Sequence, residues 1–351
     1  MILHIMTLEK FTPLFIHFVE ENIGCRGHKF VFITSKRFQY GLEEKDNAEF
    51  LHTDADFCKL RNYMFEAEKI ILHSLKRDKV HKILRLEPAL LAKSIWVMWG
   101  GDFYSPSSYN NDHLYVIKNV PYMVNILDEE ITMVQRIYGC KGKHIRTFFY
   151  NTTLYSPKSI TITKKKKTPL HIMLGHSAVP ENRHIQYLEV LKQKDDGQFI
   201  VKCPLVYPNS NEDYKVQVIE KGKSLFGARF EPLLEFMPLD DYLLWMETVD
   251  IAILPSSRQH GMGNLVNLLG SGKKVFIDDS VSTWSFFKRL GVSLYSLEEL
   301  EFTALNNDIA ADNHKTIAGY FSKERLTRDL KAIFDLRLGE ELELDMVKHD
   351  R

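Results

Sequence analysis

Cysteine is scarce in this chain, and its few residues are scattered. Four cysteines occur among 351 residues, and no two of them form a Cys-x-x-Cys pair. Without such spacing the sequence predicts neither a zinc site nor a disulfide framework, so a reducing cytosol fits this composition best. The four are Cys25, Cys58, Cys140 and Cys203.

The chain also lacks an excess of charge and a long hydrophobic run. Lysine plus arginine equals aspartate plus glutamate at 46 each, so no global positive field exists to hold DNA or RNA, and we expect no nucleic-acid partner. No stretch approaches the roughly 20 apolar residues of a spanning helix, and no basic segment precedes the short apolar run at the N-terminus. We expect a cytoplasmic protein, soluble or peripheral to a membrane.

What the chain does contain is a regular alternation of two patterns. Short apolar runs rich in β-branched and aromatic residues recur between longer segments of helical periodicity, which predicts βα units, a parallel sheet and an α/β fold. The strands predicted in the first half are Ile2–Met6, Lys29–Thr34, Lys69–His73, Ser94–Trp99, Tyr122–Leu127 and His144–Tyr150. Those predicted in the second half are Leu170–Leu174, Gln198–Cys203, Ala228–Phe236, Ile251–Leu254 and Lys274–Ile277.

A polar run interrupts this alternation near the middle of the chain. The run TITKKKK, at positions 161–167, cannot bury apolar surface and is typical of a linker. We therefore predict two Rossmann-like domains, an N-terminal one over residues 1–163 and a C-terminal one over 168–351. Ligands of open α/β sheets bind beyond the carboxyl ends of the strands, so two such domains would face each other across a cleft lined by these loops.

One such loop opens the second domain. It holds Gly175 and Ser177, followed by Asn182 and His184. Small residues and hydroxyls at the start of a helix let backbone N–H groups approach an anion. The alternative is that Gly and Ser simply form an ordinary turn between a strand and a helix, and the pattern alone does not decide between a turn and an anion-binding loop.

A second loop lies between the apolar run IAIL and a helical segment. It carries Arg258 and Gln259, then Gly261 and Gly263. The glycines expose backbone donors at a helix N-terminus, and the arginine supplies a cationic fork that suits a diphosphate. The alternative is that Arg258 pairs with a surface carboxylate.

The third loop follows the run SIWVMW in the first domain. It presents Asp102 after Trp99 and two glycines, at the carboxyl end of a predicted strand. A carboxylate in this position suits a general base that takes a proton from an acceptor hydroxyl. His73 ends the preceding strand and would emerge on the same rim. The alternatives are that Asp102 caps the segment that follows it and that His73 is structural.

Two further patterns have plainer explanations. Asp54-Ala55-Asp56 spells the DxD of some metal-dependent sugar transferases, but it follows no long apolar strand, and we interpret it as a solvated turn. The segment from His73 to Arg85 carries five cations among apolar residues. It predicts either a basic amphipathic helix at a membrane surface or a half-exposed helix.

Taken in order, the segments IWVMWGGDFY, LGHSAVPENRHI, VYPNSNEDY, LDDYLLWMETVDIAIL and RQHGMGNLVNLLGSGKKVF resemble one known family. That family is the 4-alpha-L-fucosyltransferases, which transfer N-acetylfucosamine from a dTDP-linked donor to a lipid-linked acceptor. The resemblance runs from about Lys69 to Phe287. It implies a GT-B glycosyltransferase fold, two Rossmann-like domains around a cleft.

The resemblance implies roles for residues that match the family motifs. His73 and Asp102 fall on the acceptor side, as candidates for the base. Gln259 and Asn267 stand where many retaining relatives have two glutamates eight positions apart, so the stereochemical outcome is left open. The residues expected to bind the donor are Gly175, Ser177, Asn182, His184, Tyr207, Tyr214, Arg258, Gln259, Gly261, Gly263 and Asn267, with Pro208 and Asn211 beside them.

We therefore expect a glycosyltransferase in the assembly of a bacterial surface polysaccharide, such as an enterobacterial-common-antigen-like glycan, an O-antigen or a capsule. It would move an amino-deoxyhexose or related sugar from a dTDP- or UDP-sugar to a lipid-linked oligosaccharide at the inner face of the cell membrane. No metal is expected, because Arg258 and a helix N-terminus can supply the positive field. The alternatives are a non-catalytic module that binds sugar nucleotides or glycans, and a sugar-nucleotide epimerase of the same fold.

Overall fold

The computed structural model describes residues 1–35, 41–42, 46–155, 169–206 and 212–344. Two compact units divide the chain: one contains Met1–Thr153 and a later segment that begins at Lys323, and the other is Leu154–Ser322. Both are α/β units built on a parallel sheet, which confirms the predicted fold class. The predicted linker at 161–167 lies outside the described residues.

In the first unit, the described strands form one sheet in the order β3-β2-β1-β4-β5-β6-β7, with every pair parallel. The strands are β1 (Ile2–Met6), β2 (His28–Phe32), β3 (Ala48–Phe50), β4 (Lys69–His73), β5 (Ser94–Val97), β6 (Tyr122–Val124) and β7 (Lys143–Ile145). The helices between them are α1 (Thr12–Asn22), α2 (Asp54–Glu66), α3 (Asp78–Leu86), α4 (Pro88–Leu91), α5 (Asn111–Asn119) and α6 (Asp128–Tyr138).

The second unit repeats this plan with a sheet of order β10-β9-β8-β11-β12-β13, again parallel throughout its described pairs. Its strands are β8 (Leu170–Leu174), β9 (Phe199–Pro204), β10 (Phe230–Leu233), β11 (Ile251–Leu254), β12 (Lys274–Ile277) and β13 (Tyr295–Ser296). Its helices are α7 (His184–Gln193), α8 (Glu212–Phe226), α9 (Leu239–Glu247), α10 (Met262–Gly270), α11 (Ser282–Arg289) and α12 (Asn307–Tyr320).

A last helix, α13 (Lys323–Asp335), returns to the first unit. Lys69 on β4 donates from Nζ to the carbonyl of Phe334 at 2.6 Å, and Thr147 donates to Asp329 at 2.8 Å. The sequence assigned all residues from 168 onward to the C-terminal domain, so the structure differs here. The helix packs on the first sheet because its buried apolar stripe, which includes Leu330 and Phe334, covers the otherwise open face of that sheet.

The two faces of the first sheet have different chemistry. Residues 3 and 5 of β1 point into an aliphatic core that also takes Leu60 from α2, Val80 from α3 and Val134 from α6. Residue 4 of β1 points the other way, under α1 and α13, into a layer of aromatic and imidazole rings. This alternation follows from the period of two along a strand.

The Asp54-Ala55-Asp56 sequence does not form the solvated turn that we predicted. It is the first turn of α2, where Thr53 accepts a hydrogen bond from the N–H of Asp56, and Asp56 accepts one from the N–H of Thr53 at 2.8 Å. Asp54 is paired with Lys79. These residues therefore cap a helix, because acidic side chains at a helix N-terminus satisfy its free N–H groups.

Candidate functional site

The strand order in each sheet reverses direction at one place, between β1 and β4 in the first unit and between β8 and β11 in the second. At such a switch point the two adjacent connections leave in opposite directions, so a crevice opens beyond the carboxyl ends of the strands. Predicted site residues follow the strands at both crevices.

The loop after β8 is built on a glycine that cannot be replaced without strain. Gly175 has a φ of +69°, and a Cβ atom on it would lie 2.2 Å from Nε2 of His184. The His184 ring is fully buried, and its Nδ1 lies 3.1 Å from the hydroxyl of Tyr214. The predicted residues Gly175, His184 and Tyr214 are thus in one packed group.

Three polar atoms in this loop are buried and have no hydrogen-bond partner among the described residues. They are Oδ1 of Asn182, Nε2 of His184 and Nδ1 of His176. The amide of Asn182 donates to the carbonyl and the hydroxyl of Ser177, at 2.8 and 3.0 Å. Because an unpaired buried polar atom is costly, the cluster suits a polar ligand.

The loop after β11 meets the loop after β8. Gly261 has a φ of +65° and is the N-cap residue of α10, and a Cβ atom on it would lie 3.1 Å from Cδ2 of His176. The ring of His176 packs edge-on against that of His260, with 5.8 Å between centroids. Gly263 lies in the first turn of α10, so the free N–H groups of that turn begin at this junction.

Arg258 contributes positive charge to the same junction. Its Nη2 lies 3.5 Å from a carboxylate oxygen of Glu181, and both side chains are partly exposed. This is the surface ion pair that the sequence offered as the alternative for Arg258. Gln259 is half-buried beside it.

The histidines around this junction are held neutral. Burial lowers the pKa of His176 and that of His184 to about 3. Burial and the Arg258 charge lower the pKa of His260 to about 4. Neutral rings can donate or accept hydrogen bonds at pH 7 but add no charge, so the positive charge acting on His260 comes from Arg258.

Several residues differ from the expectation or add to it. Asn267 donates to the carbonyl of Gly263 at 2.8 Å within α10 and lines a small cavity of about 30 Å³ against α9, away from the Gly175 loop. Arg183, which the sequence did not suggest, has a φ of +48° and joins three loops by donating to Pro255 and, at 2.8 Å, to Asp278. Tyr207, Pro208 and Asn211 lie outside the described residues.

In the first unit, Asp102 lies beyond β5 in the 3-10 turn Gly100–Asp102 and is fully buried. One carboxylate oxygen accepts from Ser74 at 2.5 Å, and the other accepts from the indole of Trp96 at 2.9 Å and the N–H of Trp99 at 3.0 Å. Burial raises the pKa of this carboxyl, and the hydrogen bonds oppose that shift. The base role stays a prediction. The carboxylate caps the turn that it ends, by accepting from Trp99, and not the segment that follows it, which was the alternative expected from the sequence.

The chain strains its backbone to make these contacts. Ser74 has a φ of +75°, which is rare for a residue with a side chain, and its hydroxyl reaches Asp102 from that conformation. Such strain concentrates where loops are fixed for function. The carboxylate therefore holds the loops after β4 and β5 together at the crevice.

His73, at the end of β4, is also fully buried, and both ring nitrogens are engaged. Nε2 lies 3.0 Å from Nδ1 of His4, and Nδ1 lies 2.8 Å from the hydroxyl of Tyr150. The indole of Trp99 donates to the same hydroxyl at 3.0 Å. Tyr150 and Trp99 are half-exposed, so they stand between His73 and the surface of this unit.

In the described ranges, no group of three or more His, Cys, Asp or Glu side chains is placed to hold a metal ion. None of the helices described is long and apolar enough to cross a membrane.

Solved structures with this fold are glycosyltransferases and related enzymes. The chain superposes on HepE from Anabaena, solved in complex with UDP, with a TM-score of 0.68 and 14% identity over 95% of this chain and 99% of that chain. It superposes on sucrose-phosphate synthase from Thermosynechococcus elongatus with a TM-score of 0.65 and 10% identity, over 95% and 98%. For a glycosyltransferase from Rickettsia africae the values are 0.64 and 11%, over 95% and 97%.

Two parallel-sheet units, with loops suited to an anion at a switch point, define the GT-B class of glycosyltransferases. The family to which the chain belongs follows from a separate match. The family model for 4-alpha-L-fucosyltransferase, glycosyl transferase group 56, covers residues 68–325, well over half of the chain. The chain belongs to this family and is a fucosyltransferase-like glycosyltransferase.

Proposed function

We propose that this enzyme transfers an amino-deoxyhexose or related hexose from a dTDP- or UDP-sugar to a lipid-linked oligosaccharide during assembly of a bacterial surface polysaccharide. The observation that carries the donor half is the junction of the loops after β8 and β11. There a cation, a helix N-terminus and unpaired buried polar atoms meet. HepE, which shares this fold, was solved with UDP, UDP-glucose and UDP with glucose.

The chemistry at this junction is the departure of a diphosphate. As the bond between the sugar C1 and the diphosphate breaks, negative charge grows on the leaving oxygen, and fixed donors stabilise it best. Arg258 and the N–H groups at Gly261 and Gly263 supply such donors without a metal ion. We therefore propose a metal-independent reaction, in which a chelator leaves the transfer rate unchanged.

The transfer itself is tested by incubating the enzyme with UDP- and dTDP-linked hexoses and 6-deoxyhexoses. A polyprenyl-diphosphate-linked disaccharide serves as the acceptor, and the glycolipid is analysed by mass spectrometry. The expected product carries one added sugar. Formation of epimerised donor without any acceptor would indicate a sugar-nucleotide epimerase instead. Donor binding without turnover would indicate a non-catalytic binding module.

Replacing Arg258 by alanine should weaken nucleoside-diphosphate binding by roughly 10- to 100-fold. The reason is that a hydrogen bond to a charged group contributes about 1.5 to 3 kcal/mol. Titration calorimetry with UDP and dTDP measures this loss, and Arg258→Lys should recover part of it because an ammonium lacks the bidentate fork. Arg229→Ala, which breaks an ion pair with Asp195 in the same unit, is the control. Equal affinities for wild type and Arg258→Ala would exclude Arg258 from the site.

The acceptor half of the proposal places the enzyme at a membrane surface. Around α3 the side chains of Lys76, Lys79, Lys82 and Arg85 are exposed, and Leu86 at its end is 69% exposed. Arg77, which we counted with them from the sequence, is half-buried. An exposed leucine among cations suits an anionic bilayer with lipid-linked glycans.

Lys76→Gln with Lys82→Gln should reduce sedimentation of the enzyme with phosphatidylglycerol vesicles about thirtyfold at low salt. Each cation near an anionic surface contributes about 1 kcal/mol, and salt screens that attraction. The neighbouring Lys79 and Arg85 are left intact because they pair with Asp54 and Asp112. Lys194→Gln with Lys223→Gln makes the same charge change on exposed sites of the second unit. If both double variants sediment alike, α3 is not the docking surface.

A further inference from the structure

A line of buried imidazoles crosses one face of the first sheet. Nδ1 of His28 lies 2.9 Å from Nε2 of His4, and Nδ1 of His4 lies 3.0 Å from Nε2 of His73. Nδ1 of His73 lies 2.8 Å from the hydroxyl of Tyr150, which accepts from Trp99 at 3.0 Å. All are normal hydrogen-bond lengths, so the chain of contacts is unbroken from His28 to Trp99.

The line results from strand register. His28 pairs with Ile2 of β1, and His73 pairs with Met6 of the same strand, while His4 stands midway between these positions. Residues two apart on a strand share a face, and registered partners in a parallel sheet share it too. The three rings therefore run diagonally over four residue steps, about 13 Å, from the amino edge to the carboxyl edge.

The rings are enclosed by apolar aromatic side chains. Phe15 of α1 packs on His4 and His73, and Phe334 of α13 packs on His4 and His28. Burial lowers the pKa of His73 to about 3 and that of His28 to about 4, and it lowers the pKa of His4 well below its ordinary value. All three rings are neutral at pH 7, so each carries one donor and one acceptor.

A chain of neutral imidazoles has only two consistent hydrogen-bond patterns. Each ring-to-ring contact needs one donor and one acceptor, so the tautomer of His4 fixes the tautomers of His28 and His73. In the first pattern every ring donates toward His28 and Tyr150 donates to His73; in the second every direction is reversed. One proton entering at one end and one leaving at the other converts the first pattern into the second.

Both ends of the chain reach a place where protons can be exchanged. Tyr150 stands at the carboxyl edge with a partly exposed side chain, and burial of its hydroxyl raises the pKa of that group well above its ordinary value, so it stays protonated at pH 7. His28 lines a cavity of about 650 Å³ at the amino edge. Charged groups act on both ends of the chain. At the amino edge, Lys69 and the N-terminal ammonium act on His28, and Asp335 and Glu68 in turn act on Lys69. At the carboxyl edge, Asp102 acts on Tyr150.

We propose that this chain conducts the proton released by the acceptor hydroxyl during glycosyl transfer from Tyr150 to water at His28; the proposal rests on the transferase function above. As the acceptor oxygen bonds to the sugar C1 and the bond to the diphosphate breaks, its proton passes to the Tyr150 oxygen. The Tyr150 proton moves to Nδ1 of His73, and the Nε2 proton of His73 moves to Nδ1 of His4. The Nε2 proton of His4 moves to Nδ1 of His28, and that of His28 leaves to water.

No residue keeps a net charge after this step, and the chain is left in its second pattern. Once the product has left, Tyr150 gives its proton to solvent as it takes the Nδ1 proton of His73. His73 then takes the Nδ1 proton of His4 at Nε2, and His4 takes the Nδ1 proton of His28 at Nε2. A proton from the cavity enters at Nε2 of His28, which restores the first pattern. Over one cycle two protons are released to water and one is taken up, so the net release is the one proton of the acceptor hydroxyl. Tyr150 contacts the substrate in this scheme, whereas His4 and His28 act at a distance from it.

The central test is His4→Gln, assayed with the donor and acceptor that the wild-type enzyme turns over. Glutamine can hydrogen-bond to both neighbours, but its amide does not pass a proton on. We expect turnover to fall about 100-fold, the lower end of the contribution of general base catalysis. Donor affinity should stay unchanged, and the solvent deuterium isotope effect on turnover should change. His144→Gln, a partly buried histidine of the same unit that bonds to the carbonyl of Asn125 at 2.8 Å, is the control.

A second variant tests the far end of the chain. His28→Ala leaves space beside the cavity, where added imidazole should restore turnover and added pyrrole, a ring of the same size with no acceptor nitrogen, should not. Equal rescue by both would reduce His28 to a space filler and overturn the proposal. A folded His4→Gln enzyme with wild-type turnover and isotope effect would also overturn it.

A measurement without turnover separates this proposal from the transferase function. ¹⁵N chemical shifts of His4, His28 and His73 should report one common tautomer pattern, and an imidazolium among them at pH 7 would overturn the chain. Transfer by the wild type with such an imidazolium would leave the transferase function standing. No transfer by the wild type with any tested donor, despite the common pattern, would instead refute the transferase function.

Discussion

Gly175→Ala is expected to abolish nucleoside-diphosphate binding and to lower the free energy of unfolding by about 3 kcal/mol. The added methyl group would lie 2.2 Å from Nε2 of His184, whose ring is buried and backed by Tyr214. Overpacking of this kind costs about 1 to 3 kcal/mol, and the left-handed backbone adds roughly 1 kcal/mol more. The ring can move only by displacing the loop that holds the unpaired polar atoms, so affinity falls with stability.

The chain offers a matched control for this variant in the same unit. Gly197 has a φ of +78°, but a Cβ atom on it would meet no atom within 4 Å. Gly197→Ala should therefore show the backbone cost alone and retain full affinity for UDP or dTDP. Chemical denaturation and calorimetry on both variants isolate the contact with His184. If the two variants behave alike, the close approach of Gly175 to His184 has no role in binding.

The strands were predictable because their signal is local. Predicted and observed bounds coincide for Ile2–Met6, Lys69–His73, Leu170–Leu174, Ile251–Leu254 and Lys274–Ile277. Each is a mostly apolar run that is buried on both faces over most of its length, which is what a central parallel strand requires. The short edge strand Ala48–Phe50 has only half-buried residues, so it lacks that signal and the sequence did not show it.

The placement of α13 could not be predicted in this way. Its amphipathic pattern shows that one stripe of the helix must be buried, but two sheets of the same chain could receive that stripe. The choice depends on contacts between residues far apart in sequence, such as Lys69 with the carbonyl of Ile333 at 3.0 Å. Periodicity within α13 contains no information on its partner.

The loops of the candidate site could be predicted from the sequence, but the long-range contacts within the first unit could not. Strand ends and glycines located the loops after β8, β11 and β5, because function in open sheets collects beyond the carboxyl ends of strands. The left-handed conformation of Ser74 and the contacts of His4 gave no such signal. A lone histidine inside an apolar strand looks the same whether its partners are solvent, backbone or two other imidazoles.

Asp102 is the residue at which the role predicted from the sequence and the contacts in the structure differ most. Its replacement by alanine is expected to have the second large effect, a loss of stability. Asp102→Ala leaves the indole of Trp96, the N–H of Trp99 and the hydroxyl of Ser74 without their acceptor. Each unpaired buried group costs about 1 to 3 kcal/mol, so we expect stability to fall by more than about 3 kcal/mol. Asp112→Ala, which removes an exposed ion pair with Arg85, should change stability by less than about 1 kcal/mol.

Asp102→Asn separates the cap from the base. The amide can still accept from the two tryptophans through its oxygen and donate to Ser74, whose hydroxyl can accept, but it offers one acceptor oxygen where the carboxylate offers two to its four donors, which include the N–H of Leu75. A cap therefore predicts a lower melting temperature, with turnover per folded molecule within about tenfold of wild type. A base predicts the reverse, an almost unchanged melting temperature with turnover reduced roughly 100- to 10,000-fold. Because both carboxylate oxygens already hold donors inside the unit, we expect the first result. The second result, measured on the same preparation with unchanged donor affinity, would restore Asp102 as the base and remove Tyr150 from that position.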